Sequence, residues 1–276
     1  MSLNDEEKRF EGIKEKWNQS TKSNVFDALF GGTGYRTIGY YKTDSDTPAQ
    51  ALRNMTARVA EISEMRPDSH VLDLGCGHGI PVLDIAVNIG CSVVGIDLAD
   101  EHIVLAKNAA DLYKKEKKAD LKAEFYAASY FDLPDAVTNQ KFTHVMMQTS
   151  MFYAHNRIDE LLALISKVLH PSGILVSTDY LKASDTSDTS KFMEANEMPV
   201  MLSLDQLESA LIRNGFEYSE GENLDSHCLK SSESKIDKIV QEGIPCPAVN
   251  LFKLMKGLVM NSQLTFQLIV ATKSAS

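Results

Sequence analysis

The stretch from Val71 to Asp97 constrains the fold of this chain more than any other. An apolar strand, Val71-Leu72-Asp73-Leu74, runs into Gly75-Cys76-Gly77-His78-Gly79. An apolar helical run follows, then a second strand ending Val93-Val94-Gly95-Ile96-Asp97. Strand, glycine turn, helix and a strand closing on a carboxylate make half of a nucleotide-binding α/β unit. The glycines let the backbone turn sharply and approach a ligand where a side chain would block it. Asp97 closes the second strand about 20 residues after the turn, where a carboxylate can accept both hydroxyls of a ribose.

The residues around the turn narrow the choice of ligand. A dinucleotide fingerprint wants its third glycine at position 80, which is Ile80; the glycine comes one residue early, at Gly79. Asp73, two residues before the first glycine, would repel a pyrophosphate and attract an ammonium group. No Gly-Lys-Ser/Thr follows the turn, so a P-loop is excluded. A cofactor with a ribose, an ammonium and no phosphate is S-adenosylmethionine.

Length and charge bound the rest. The 276 residues suit one enlarged domain better than two equal ones. A formal charge of -10 argues against nucleic acid, whose phosphates demand a basic face. Cys76, Cys91, Cys228 and Cys246 show no CxxC or other metal spacing, so they read as reduced thiols in a cytoplasmic protein. His70, His78, His102, His144, His155, His170 and His227 do not pair at ligand spacing, so no metal is expected. Met1 to Lys16 is charged and lacks the apolar core of a signal peptide, and no apolar run approaches the ~18 residues of a membrane helix. The expectation is a soluble, cytoplasmic protein, monomer or homodimer.

Taken in order, residues 1–30 are helix-prone, with Phe10, Ile13, Trp17, Phe26, Leu29 and Phe30 at loose helical spacing. Gly31 to Tyr41 is a glycine-aromatic stretch, expected to be a mobile loop closing over the site. Thr47-Pro48 opens a helix to about Met65. Strands are expected at 69–74, Glu124–Tyr126, Phe142–Gln148, Ile174–Thr178, Phe216–Leu224 and Leu264–Thr272. Helices are expected at 80–89, 100–118 (ending in Lys114, Lys115, Lys117 and Lys118), 157–168, 204–213 and within about 230–260. Ser203-x-x-Gln206 is a capping box. Residues 183–191, rich in Ser, Thr and Asp, read as a flexible loop.

Val71 to Gly79 resembles the first motif of the class I S-adenosylmethionine-dependent methyltransferases. The similarity extends from about residue 20 to the C-terminus. It implies an α/β, Rossmann-like, seven-stranded and mostly parallel sheet with helices on both faces and a helical cap. It divides the chain into an N-terminal helical and aromatic lid (1–50), a cofactor-binding core (51–181) and the rest of the sheet (182–276), with a cap insertion at about 226–260. It implies that Asp73, Gly75, Cys76, Gly77, Asp97, Leu98, His102, Ser129, Tyr130 and Gln148 bind S-adenosylmethionine, which leaves as S-adenosylhomocysteine. Within it, Asp73 and the turn take the methionine end, Asp97 the ribose, and Ser129 with Tyr130 the adenine; Ser129 stands where the family usually has an aspartate. A family stretch of the type His-x-Gly-Tyr has Thr37 in place of its histidine here, so that histidine's role does not carry over.

The aromatic stretch, Ser129, Gln148 and the helical insertion are similar to sarcosine/dimethylglycine and phosphoethanolamine N-methyltransferases. Trp17, Tyr35, Tyr40, Phe152 and Tyr180 are then expected to wall the substrate pocket, and Tyr153 and His155 to act in catalysis. An aromatic wall suits a cationic product, so a small amine is the first expectation for the acceptor. Three alternatives stay open: C- or O-methylation of an isoprenoid, sterol-like or polyketide acceptor; a methyltransferase-fold binding protein without turnover; and a dehydrogenase.

Overall fold

The computed structural model describes residues 3–22, 29–30, 32–116, 120–243 and 249–275. Phe26, Gly31, Lys117, Lys118 and Cys246 lie outside the described residues. A seven-stranded sheet forms the centre. Its strands are β1 (His70–Leu74), β2 (Ser92–Asp97), β3 (Ala123–Ala127), β4 (Phe142–Gln148), β5 (Leu169–Lys182), β6 (Phe216–Asn223) and β7 (Leu264–Lys273). The order across the sheet is β3-β2-β1-β4-β5-β7-β6. The first five strands pair in parallel, and β7 lies antiparallel between β5 and β6. The order turns back between β1 and β4, and the crevice outside the carboxyl ends of these two strands is where an open α/β sheet binds ligands.

Both faces of the sheet are covered, as parallel strands require. Successive residues send their side chains into opposite cores: Val71, Val93 and Met146 into one, Leu72, Val94, Val145 and Met147 into the other. The covering helices are α1 (Leu3–Lys22), α2 (Pro48–Ile62), α3 (Ile80–Ile89), α4 (Asp100–Glu116), the short α5 (Asp135–Thr138), α6 (Ile158–Val168), α7 (Ser190–Ala195), α8 (Leu204–Arg213), α9 (Asp225–Glu242) and α10 (Val249–Met260). Among the described residues, no helix is long and apolar enough to cross a membrane.

Local chemistry sets the boundaries. Thr47 and Ser203 each close a capping box, with Gln50 and Gln206 returning the bond to the cap amide. The expected helix to Met65 stops at Ile62, where Ser63 Oγ turns back onto the Val59 carbonyl. The helix expected from 157 is preceded by a 3-10 turn, Met151–Arg157, because Asp179 accepts the Phe152 amide at 3.0 Å and fixes the chain there. β5 begins at Leu169, earlier than the expected Ile174, and carries Pro171-Ser172-Gly173 within it. Its pairing with β4 slips there, from Phe142–Leu169 to His144–Ile174, because proline cannot donate to the ladder.

Two stretches expected to be loose are tied down instead. In 183–191, Ser203 Oγ donates to Asp185 at 2.5 Å and the Asp188 amide donates to Gln263 at 2.7 Å. In the glycine-aromatic stretch, Tyr35 and Ile38 are each 2% exposed, and the Gly39 amide donates to Ser231 Oγ of α9 at 3.0 Å.

Candidate functional site

A cleft with about 920 Å³ of empty space, counting its open mouth, lies outside the carboxyl ends of β1, β2 and β4. The glycine turn forms its floor. The Gly75 and Cys76 amides donate to the Ile96 carbonyl at 2.7 and 2.9 Å, folding the turn back over β2. Gly75 has φ 91°, and a Cβ there would lie 2.5 Å from Ser150 Cβ, so no other residue fits. At Gly77, with φ 54°, a Cβ would meet nothing within 4 Å, because the backbone is bare toward the cleft.

Two carboxylates flank the turn in opposite states. Asp73 is 2% exposed, and its Oδ1 is buried with no hydrogen-bond partner. Burial pushes its carboxyl well above the usual range, with Asp97 adding repulsion. Burial also acts upward on Asp97, but there the His102 side chain and the Ala99 and Gly77 amides outweigh it and hold the carboxyl below the usual range. Asp97 Oδ2 accepts from the Gly77 amide at 2.8 Å, and Oδ1 accepts from the Ala99 amide at 2.9 Å and lies 3.0 Å from His102 Nδ1. His78 stands edge-on to His102 with ring centroids 5.1 Å apart, and burial lowers its pKa to about 3, so it is neutral.

Helix α1 roofs the cleft with Phe10, Ile13 and Trp17, one apolar face at i, i+3 and i+7. Phe10 rests on Phe131 of the loop after β3, with centroids 5.8 Å apart, and Trp17 lies 5.8 Å from the His102 ring. Arg9 fastens the helix: it pairs with Glu6 at 2.5 Å and donates to the Tyr153 carbonyl at 3.0 Å, while Asn156 donates to Glu6 at 3.1 Å. Burial acts upward on the Glu6 carboxyl, but the Arg9 and Asn156 bonds leave it lower than usual. Lys14 and Lys22 add pairs to Asp100 and Glu101 of α4.

The far wall comes from the end of β4. Gln148 leaves its Oε1 buried and without a partner. Thr149 adopts φ 56°, an outlier for a β-branched residue, and shares a hydrogen bond with Thr37 Oγ1 at 2.9 Å. Tyr153 completes this wall; burial raises its phenol well above the ordinary value, so it stays protonated.

The expected site residues fall unevenly around the cleft. Asp73, Gly75, Cys76, Gly77, Asp97, Leu98, His102, Ser129, Tyr130 and Gln148 all line the cleft, as do Trp17 and Tyr153. Five other expected residues do not line it. Tyr35 points under α3, where its hydroxyl donates to Asp84. Tyr40 reaches Glu222 at 3.0 Å and stacks on His227. Phe152 and Tyr180 pack with Phe192 in the core, because the 3-10 turn directs Phe152 inward while Tyr153 faces the cleft. His155 is 2% exposed; its Nδ1 accepts the Leu202 amide at 3.2 Å, and burial lowers its pKa to about 3.

Phe10, Ile13, Arg36, Thr37, His78 and Thr149 line the cleft without having been singled out for it. The apolar marks of α1 were visible, but their spacing is that of any core helix. His78 lies inside the Gly75–Gly79 turn, and its imidazole is the signal that marks it.

The residues present fit the cofactor that the turn suggested. Asp73 Oδ1, Gln148 Oε1, His78 Nε2 and His102 Nε2 are buried polar atoms of the cleft left without partners, which is costly unless a ligand supplies them. An unpaired carboxylate suits an ammonium, and unpaired acceptors suit hydroxyls and an amine. Among the described residues, no three His, Cys, Asp or Glu side chains are placed to hold a metal ion.

Comparison with known proteins agrees with this geometry. Residues 65–243, well over half of the chain, match the methyltransferase-domain family. The chain is 29% identical over 189 residues to sarcosine/dimethylglycine N-methyltransferase of Halorhodospira halochloris, an alignment covering 67% of this chain and 64% of the relative's length. It is 26% identical over 214 residues to 27-O-demethylrifamycin SV methyltransferase of Amycolatopsis mediterranei, covering 76% and 75%. In fold it is similar to geranyl diphosphate C-methyltransferase of Streptomyces coelicolor, solved with S-adenosyl-L-homocysteine: the TM-score is 0.74 at 16% identity, over 96% of this chain and 98% of the other. The chain belongs to the methyltransferase-domain family, enzymes that draw their methyl group from S-adenosylmethionine.

Proposed function

We propose that this protein methylates the nitrogen of a small amine. In this reading Asp73 accepts the ammonium of the cofactor's methionine end over the bare backbone of Gly75 and Gly77. Asp97 takes the ribose, and Ser129 with Tyr130 borders the adenine. When bound, S-adenosylmethionine supplies an electrophilic methyl on a sulfonium. The protein has to hold the acceptor nitrogen about 3–3.5 Å from that carbon, in line, and keep water out. The roof residues Phe10 and Trp17 and the wall residue Tyr153 do both, and their rings favour an acceptor that becomes cationic.

One observation carries the choice of an amine. The carboxyl and imidazole groups that line the cleft, Asp73, Asp97, His78 and His102, belong to the glycine-turn side, whereas the far wall offers the protonated phenol of Tyr153 and the neutral Gln148, Thr37 and Thr149. An alcohol or phenol acceptor would want a base on that wall. A neutral amine attacks with its own lone pair; a primary or secondary amine afterwards releases a proton to solvent, and a tertiary amine stays cationic with none to release. The Halorhodospira halochloris relative is itself named for sarcosine and dimethylglycine.

The test is S-adenosylhomocysteine production with glycine, sarcosine, dimethylglycine, phosphoethanolamine, phenols and prenyl lipids as acceptors. Turnover on the amines alone is the expected result; turnover on the lipids or phenols alone overturns it. A second reading, C- or O-methylation of an isoprenoid, sterol-like or polyketide acceptor, draws support from the apolar lining of Phe10, Ile13 and Leu98 and from the rifamycin relative. The buried free thiols of Cys76 and Cys228 support a cytoplasmic setting.

A further inference from the structure

Asp97 has less to offer a ribose than its place at the end of β2 promises. An ionised carboxylate has about four lone-pair directions. The Ala99 amide and His102 Nδ1 take two on Oδ1, and the Gly77 amide takes one on Oδ2. One direction remains, on Oδ2, while a ribose diol brings two hydroxyl donors. The second acceptor has to come from the same corner of the cleft.

His102 meets the need. Its Nδ1 faces a carboxylate oxygen at 3.0 Å and therefore carries the proton, which leaves a lone pair on Nε2. That Nε2 is buried without a partner, on a ring that is 3% exposed and lines the cleft next to Asp97. His78 has an unpartnered Nε2 too, but it lacks a contact with Asp97 to fix its tautomer.

We infer that the cofactor's ribose diol is divided between two acceptors, one hydroxyl on Asp97 Oδ2 and the other on His102 Nε2. The inference rests on the assignment of the ribose to Asp97. It makes His102 a ligand contact as well as the group that orients Asp97, and it makes both hydroxyls separately readable by the protein.

The two roles of His102 separate by substitution. His102→Asn keeps a donor near the place of Nδ1 and removes the acceptor at Nε2; His102→Gln can reach the place of Nε2 and gives up the contact with Asp97. Calorimetric titration of each variant with S-adenosylhomocysteine and with its 2′-deoxy and 3′-deoxy analogues reads the outcome. His102→Asn is expected to bind S-adenosylhomocysteine about tenfold more weakly than the wild type, the loss of one hydrogen bond. It should bind one of the two deoxy analogues as well as the wild type does, and His102→Gln should recover part of the loss. Equal weakening of His102→Asn for all three ligands, or no weakening for any, would overturn the proposal. Failure of the ribose assignment shows separately, as S-adenosylhomocysteine affinity unchanged in Asp97→Asn.

Discussion

Asp73 is a carboxylate shut away from water with one oxygen left over, so the ligand-free protein carries an uncompensated group. Its raised pKa makes the native state bind a proton more tightly than the unfolded chain does. The stability this gives is complete below about pH 4, the ordinary carboxylate value, and is lost as pH rises through the native pKa. Asp73→Asn is therefore expected to act in two directions. Thermal unfolding at pH 7 should move to higher temperature, and calorimetry should show S-adenosylhomocysteine bound about ten- to a hundredfold more weakly, since a charge-assisted bond is lost. A fall in both quantities would mean that the carboxylate is structural. Asp73 was legible in the sequence because a strand end before a glycine turn fixes where its side chain goes. His155 and Tyr35 were not, because side-chain direction in a 3-10 turn or an irregular stretch is set by packing partners far away in the chain, Leu202 for one and Asp84 for the other.

At the scale of elements, local signals marked the boundaries well wherever they were chemical. The Ser203–Gln206 box opens α8 at the expected residue, and Ser203→Ala should cost about 1 kcal/mol in chemical denaturation. The early start of β5 was hidden because Pro171 and Gly173 read as turn residues, and only the bulge against β4 reconciles them with a strand. The α1 roof was half legible: residues 1–50 were expected as a lid with Trp17 at the pocket, while Phe10 and Ile13 carried no such expectation. Its clasp is the pair of bonds from Arg9 to the Tyr153 carbonyl and from Asn156 to Glu6; Arg9 and Glu6 also pair with each other, and removing one member of a buried ion pair strands the other. Arg9→Ala leaves Glu6 without its cation, and protease digestion should cut within residues 3–22 faster than in the wild type while the sheet stays intact. Equal resistance would show that Lys14, Lys22 and the apolar face hold the helix alone.

The whole molecule carries a further buried charge outside the cleft. Lys235 of α9 is 7% exposed, with Nζ 3.4 Å from the Thr37 carbonyl and over the rings of Phe30 and Phe252 at 4.2 and 5.3 Å. Burial lowers its pKa to about 8 from 10.5. The native state thus favours the neutral amine, and the stability this confers is full above pH 10.5 and lost as pH falls through about 8. Lys235→Met should raise stability at pH 7 by about 2 kcal/mol, the two ring contacts being lost in exchange, and flatten the profile between those pH values. A variant less stable at pH 7 would show that the rings hold the ammonium more firmly than burial opposes it. Nothing in the sequence marked Lys235, since a lysine in a polar helix reads as solvated.

The roof also sets a clock. Phe10, Ile13 and Trp17 cover the floor on which the spent donor would rest, and α1 is 20 residues long and fastened by the Arg9 bond to the Tyr153 carbonyl and by ion pairs at Lys14 and Lys22. A helix of that size moves through solvent against friction, whereas a methyl shift within a closed cleft does not feel the solvent. Each round of exchange would then be timed by the roof: kcat should fall as sucrose thickens the medium and rise as salt screens the outer pairs, leaving single-turnover chemistry unchanged.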